Sequence, residues 1–465
     1  MKVHIIGNGL DALICSKRLL ELGHQVTLFS TTENLGGHFS GHTIGHGNFD
    51  LGMVLLENDH RSVPSLKFKE FKNQFGRNLR PFLSESFEWL TKIVGSLEKE
   101  IIVTKLPSGD EIPDYFIADN LNFLDFLNEE TRNDLIQNIK NFLYETDHEA
   151  KIKPEKKMID DKFKTLSLSE YYTQIFGRKF FEEHFENFLT CVSAEFSRVL
   201  ARDHRKFWLP LYFPESIYFA LTHDLEFKEY ALSELRFDKP KDMMISDLVS
   251  KIAEDCFANP NFQQMTVKTF SNLTINQVRF EKCVLFLSSE QIHKLFPENL
   301  RLKELHDEVV KATETLGTHS INIIHACIPT NRNMTVMFKR DYHGLFRYSI
   351  SQKKNNLECS VASFEFKNSN DFNFVDSIKV IRSLGFDVLC DGGHVRVPFN
   401  AKWLNLTQVQ WQELSLDFTF ELQAYNVQGS VIHPEATTFN DNLVRGLAYA
   451  EQVHLREWEK NAKIG

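Results

Sequence analysis

The chain opens on a short apolar run. In Met1–Ile6 the β-branched residues Val3, Ile5 and Ile6 follow one another with no polar stretch between them, the pattern of a strand covered on both faces. A glycine turn follows at once. From Ala12 to Leu22 apolar residues recur at helical spacing (Leu13, Ile14, Leu19, Leu20, Leu22), and Gly23-His24 ends that helix. Gln25–Phe29 is a second apolar run, so the first thirty residues predict a strand, a turn, a helix and a strand. Beyond them the pattern predicts a helix over Phe82–Glu98, a short strand over Glu100–Thr104 and an amphipathic helix from Asn120 to about Glu145. Ser167 stands before an apolar periodic run, as at a helix start, and Phe176-Gly177-Arg178 separates that run from a helix over Phe180–Leu189. Strands are expected at Gln264–Phe270 and Lys282–Leu287. Alternating runs at 321–328, 334–338, 345–350 and 358–366 predict an antiparallel sheet, with a last strand at Val395–Pro398.

The turn after the first strand reads Gly7-Asn8-Gly9-Leu10-Asp11-Ala12. A strand that runs through Gly-x-Gly-x-x-Ala into a helix is the context of a dinucleotide site. Gly7 permits the tight turn, Gly9 lets the backbone approach a pyrophosphate, and Ala12 is small enough for the helix to lie close on the sheet. The helix N-terminus then offers free N–H groups and a partial positive charge.

Composition narrows the class. At 465 residues the chain has length for two or three domains, and a formal net charge of -10 gives no reason to expect nucleic acid or an anionic membrane as partner. Mixed runs such as Lys151–Lys157 read as solvated loop. The opening strand is too short for a signal peptide, and no apolar run has the length of a membrane-spanning helix. Seven cysteines (15, 191, 256, 283, 327, 359, 390) are scattered, odd in number and without metal-ligand spacing. Reduced thiols, a cytoplasmic location and no metal site are therefore expected. Forty-one phenylalanines point to a large aromatic core or a ring-lined substrate region. Those at 180, 181, 185 and 188 sit at helical spacing and read as core.

Further blocks carry a family resemblance. Gly36-Gly37-His38 follows the second strand, and Phe49-Asp50-Leu51-Gly52 follows that. With the first motif they resemble the flavoproteins of the amine oxidase, protoporphyrinogen oxidase, phytoene desaturase and UDP-galactopyranose mutase superfamily. Its pattern is GxGxxG/A, an acidic residue closing strand two, GG followed by Arg, then F-D-x-G. The resemblance implies an α/β chain: a Rossmann-type FAD/NAD(P)-binding domain over residues 1–60, 236–300 and 420–465, and a substrate domain of antiparallel sheet and helical insertion over 61–235 and 301–419. It implies FAD as cofactor, because the Gly-Gly segment lies along the flavin side. Two departures stand out. Ser30 replaces the ribose-binding acid and His38 the arginine, and a neutral hydroxyl forgoes a charge-assisted bond roughly twice as strong.

Later segments extend the resemblance. Leu166–Leu200 is similar to helices of the family's substrate domain, and the resemblance implies a substrate wall as the alternative to core for the phenylalanines at 180, 181, 185 and 188. In Phe237–Ser246 the family's two glycines beside the flavin align with Asp242 and Met243. Val267 matches the residue whose backbone meets the adenine. Gly429 and Ser430 match a strand end, and Asn440 or Asp441 is the expected N-cap of a helix that faces the flavin. Together with Gly7, Asn8, Gly9, Leu10, Asp11, Ala12, Ser30, Gly36, Gly37, His38 and Gly52 these form the expected cofactor site. No catalytic constellation stands out, which fits a cofactor that carries the chemistry. Arg347 and Tyr348 are candidates to face a small-molecule substrate, or are plain strand surface. The expected function is FAD-dependent oxidation by hydride transfer. The alternatives are a mutase acting on a nucleotide sugar and a non-catalytic binding protein that kept the fold.

Overall fold

A computed structural model describes residues 1–462 except 45–46, 53, 55, 58–71, 73–74, 107, 114–121, 146–165, 185, 187–213, 231–236, 274–282, 330–333, 353–359, 368–371, 389, 405, 407, 426 and 433–437. The charged run Lys151–Lys157, expected as solvated loop, the phenylalanines at 185 and 188 and Cys191 and Cys359 lie outside the described residues. The chain divides into two compact units. Unit 1 comprises Met1–Glu98, Asp238–Gly317 and Asn400–Gly465, and unit 2 comprises Lys99–Phe237 and Thr318–Phe399.

Unit 1 is built on a parallel sheet. Strand β1 (Lys2–Ile6) lies at its centre, with β2 (Gln25–Ser30) on one side and Cys283–Leu287 on the other. Phe262–Thr266 and Val427–Val431 form the edges. Alternate β1 residues feed opposite cores. Val3 and Ile5 pack with helix α1 (Leu10–Glu21) and helices Leu79–Val94, Ile245–Phe257 and Phe439–Ala462. Ile6 packs with the opposite layer, where helices Ser289–Leu295, Leu300–Ala312 and Gln408–Gln423 lie. Helices on both faces explain why Cys283–Leu287 is apolar throughout and why β1 is buried from Val3 to Ile6, His4 included. The strands share direction, so the carboxyl ends of β1, β2 and Phe262–Thr266 fall on one rim: Ile6 registers with Phe29, and Ser30 with Thr266. Ligands of doubly wound sheets bind along such a rim.

Unit 2 holds a seven-stranded sheet in the order 390–404, 313–328, 360–366, 345–352, 334–342, 101–105, 111–113. It is not purely antiparallel as expected. Met334–Tyr342 runs parallel to Ile101–Lys105, which arrives from a distant part of the chain and is free to take either direction. One face packs Tyr348, Phe364 and Phe366 against helix Phe374–Ser383. The helical part of the unit includes Glu129–Glu145 and Leu168–Phe176, the latter begun by a reciprocal Ser167–Glu170 capping box.

Several boundaries move from their expected places for local reasons. The helix expected over 82–98 ends at Val94, where Gly95 turns to φ +88°, and Leu97–Lys99 is a strand. The strand expected over 264–270 ends at Thr266 and gives way to a turn at Phe270–Asn272. Where one helix is expected up to about Glu145, a short 3-10 segment, Asn122–Phe126, precedes the helix Glu129–Glu145. Residues 301–317 and 400–419, expected in the substrate domain, cluster with unit 1, as does helix Leu79–Val94.

Candidate cofactor site

At the carboxyl end of β1 the chain turns into α1 through Gly7–Ala12. Gly7 is held by packing as much as by the turn. A side chain there would come within 3.0–3.2 Å of the Phe286 carbonyl oxygen and Cβ and of Ala12 Cβ, closer than strand and helix permit. Gly9 is the N-cap of α1, in extended conformation and with no side-chain cap. Leu10 and Ala12 are buried beneath the turn.

The Gly-Gly segment meets this turn directly. Gly9 and Gly36 form a parallel bridge, and the Gly36 N–H donates to the Asn8 carbonyl at 3.2 Å. Gly36 sits at φ +101° with Val249 Cγ1 2.3 Å from where a Cβ would lie, so only glycine fits. Gly37, at φ +61°, has nothing nearer to a Cβ than Gly9 Cα at 3.7 Å. Asn8 fixes the neighbouring end of β2: its Oδ1 accepts from the Thr31 N–H at 2.7 Å, and its Nδ2 donates to Thr31 Oγ1 at 2.6 Å. The result is a cradle of close backbone at a helix N-terminus.

Beneath it lies a buried ion pair that the sequence patterns do not single out. Arg445 of the last helix reaches Asp11 at 3.2 Å, and the two side chains are 2 % and 1 % exposed. Asp11 Oδ1 also accepts from the Ala12 N–H at 2.9 Å. Burial pushes the Asp11 carboxyl above the usual carboxylate range, opposed by Arg445 and by the N–H bond. Gly446 makes the approach possible, because a Cβ there would fall 2.7 Å from the Asp11 carbonyl oxygen and 2.9 Å from Ile14. The one legible sign of Arg445 is a charge set among Leu443, Val444 and Leu447 on a buried helix face.

Asp50, from the Phe49–Gly52 block, is buried and accepts from the Ile245 N–H at 3.2 Å and the Ser246 N–H at 2.7 Å. It thereby caps helix Ile245–Phe257 from almost two hundred residues away in sequence. Burial raises its carboxyl, while the Ser246 bonds and Lys239 lower it. Just before that helix Asp242 holds φ +59°, so the backbone at the first of the two aligned glycines keeps a glycine-like conformation with an aspartate in place.

The remaining expected site residues fall as follows. Ser30, at the end of β2, is fully buried, and Val267 follows the neighbouring strand, its N–H donating to the Ser30 carbonyl at 2.8 Å. His38 is exposed, its ring centroid 3.8 Å from that of Phe39. Gly52 lies at φ +89°, its N–H on the Asp50 carbonyl. Gly429 packs against Leu285, and Ser430 stands next to it in the strand, opposite Phe286. The expected N-cap at Asn440 or Asp441 is displaced. Thr438 takes that place, its Oγ1 accepting from the Asp441 N–H at 3.0 Å, and Asn440 and Asp441 lie buried in the first turn. In unit 2, Tyr348 is buried among Phe338, Phe364 and Phe386, and Arg347 forms a bidentate pair with fully buried Glu365 at 2.7 and 2.5 Å. Both side chains are occupied within the sheet.

Among the described residues no group of three His, Cys, Asp or Glu could hold a metal ion, and no helix is long and apolar enough to cross a membrane. Cys15, Cys256 and Cys283 are buried and unbonded. Burial pushes their thiols up, that of Cys256 to about 12, so none is poised as a nucleophile.

No protein-family model matches the chain, and no curated protein matches it in sequence. Solved structures do match it along almost its whole length. A putrescine oxidase redesigned in its cofactor binding superposes with a TM-score of 0.52 at 12% identity, over 98% of this chain and 99% of that one. An oxidoreductase from Methanosarcina mazei gives 0.52 at 11% identity, over 97% and 100%. Wild-type putrescine oxidase bound to putrescine gives 0.50 at 12%, over 97% and 99%. At such identity the likeness establishes the fold alone, and this chain shares its fold with these oxidases and oxidoreductases.

Proposed function

We propose that the chain is an FAD-dependent oxidoreductase acting on a small organic substrate. The observation that carries this reading is the bridge between Gly9 and Gly36, which joins the two glycine segments into one cradle at the N-terminus of α1. The phosphate half of FAD fits there. Gly9 and Gly37 leave backbone within reach, and the partial positive charge of α1 favours an anion. Gly7 to Leu10, Gly36 and Gly37 would hold the cofactor, with the first turn of helix Phe439–Ala462 on the flavin side. Bound FAD would supply a hydride acceptor for a C–N or C–C bond. The chain's contribution is position and electrostatics: Asn8 anchors the cradle to β2, and the Asp11–Arg445 pair locks α1 to the last helix. Unit 2 is the proposed substrate domain.

A second reading has its own support. A protein that kept the fold with a weakened or lost cofactor would carry neutral Ser30 in place of the acid, and side chains at Asp242 and Met243. An absorbance spectrum of the purified protein separates the two, followed by release and identification of bound nucleotide. Flavin bands, bleached by an amine with peroxide formed from oxygen, support the oxidoreductase. A colourless protein that takes up no added FAD refutes it. Activity on a nucleotide sugar only after prior reduction would assign a mutase instead.

A further inference from the structure

The carboxyl end of β2 carries a hydrogen-bonded cluster that the cofactor reading leaves unused. In dinucleotide sites an acid about twenty residues beyond the glycine motif accepts from the ribose hydroxyls. Ser30 stands at that point, fully buried, and its hydroxyl is already engaged twice. It donates to the Thr32 carbonyl at 2.8 Å and accepts from Gln264 Nε2 at 2.7 Å. The same carboxamide lies 3.0 Å from the Thr32 carbonyl and 3.3 Å from the Glu33 carbonyl, so it draws Thr32 and Glu33 against strand Phe262–Thr266. The Ser30 carbonyl is taken at 2.8 Å by the N–H of Val267, the residue whose backbone is expected to meet adenine.

We infer that the Ser30–Gln264 couple closes this cradle to an adenosine ribose, with Gln264 the specificity-determining residue. The ligand class that follows is a flavin nucleotide gripped through its phosphates, FAD included, with no hydrogen bond from β2 to an adenosine ribose. A ribose diol, which needs an acceptor, meets at β2 a fully buried neutral oxygen with the Gln264 carboxamide bonded across it. It would have to break bonds already made to gain new ones of no greater strength. The inference rests on the flavin reading for its ligand, though not for the closure itself.

Calorimetric titration of the full chain, stripped of bound nucleotide, with ADP, FMN and FAD tests it. Wild type should take up no ADP at about 1 mM, and its FMN and FAD dissociation constants should agree within about threefold. The double variant Ser30→Glu/Gln264→Ala restores an acceptor and removes the amide, and should gain ADP binding with FAD favoured over FMN by at least about tenfold. Gln264→Ala alone keeps the native serine and reads the same shift, about threefold, should the double variant fail to fold. Micromolar ADP binding by wild type, FAD favoured about a hundredfold over FMN, or no gain in either variant would overturn the inference. If wild type binds no flavin while a variant gains ADP, the closure stands and the flavin reading falls.

Discussion

Replacing Arg445 by methionine removes one member of the only ion pair among the described residues whose two side chains are both under 3 % exposed. The Asp11 carboxylate would remain between α1 and the last helix with its Ala12 N–H bond but without its guanidinium. Stranding a charge in this way costs about 3–5 kcal/mol. At roughly 2–4 °C per kcal/mol for a unit of this size, the melting temperature should fall by about 6–20 °C. The loss should depend on pH with a definite sign. Burial already raises Asp11 above 3.8 in the folded state, so the folded chain holds its proton more readily than the unfolded chain. Stability from such a group is present below 3.8 and is lost as pH rises through the raised folded value. Without Arg445 that value climbs further, so Arg445→Met should be more damaging at about pH 8 than at about pH 5. Adding Asp11→Asn removes the charge and keeps the N–H acceptor, and should recover most of the loss. Urea unfolding followed by tryptophan fluorescence, at both pH values for wild type and both variants, supplies the numbers. A loss under about 1 kcal/mol, or one equal at the two pH values, would refute the reasoning.

Three further outcomes are expected. Gly446→Ala places a methyl group 2.7 Å from the Asp11 carbonyl oxygen and should cost about 1–3 kcal/mol in the same unfolding assay, with no pH dependence. Asp50→Ala removes the remote cap of helix Ile245–Phe257 and should cost about 1–2 kcal/mol, with hydrogen exchange accelerated at the Ile245 and Ser246 amides and unchanged in helix Leu300–Ala312. Glu365→Gln breaks the bidentate bond to Arg347 and should cost about 2–3 kcal/mol, with faster exchange in strands Leu345–Gln352 and Ser360–Phe366 and no change in α1.

Much of unit 1 is legible in the chain because its signals are local. A strand covered on both faces is rich in β-branched residues, a glycine turn must precede a helix that lies close on it, and Gly23 ends α1 within a residue or two of the expected place. The cradle follows from the same short-range rules, and so does the helical start at Ser167. Family blocks at both ends of the chain identify the architecture that the solved structures share. The direction of Ile101–Lys105 in the second sheet is another matter, since pairing with Met334–Tyr342 joins segments more than two hundred residues apart.

By itself, then, the sequence determines the strand–turn–helix–strand unit, the glycines it cannot do without, and the architecture they imply. Only the tertiary structure decides what the polar residues around that unit are for. Asp11 meets Arg445, Asp50 caps a helix it does not precede, and Ser30 is bound by Gln264. Arg347 and Tyr348, open to either reading in the chain, are occupied inside their sheet. The physical reason is that an apolar side chain needs only to leave water, which local periodicity reveals. A buried polar one needs a particular partner, which the fold brings from far along the chain.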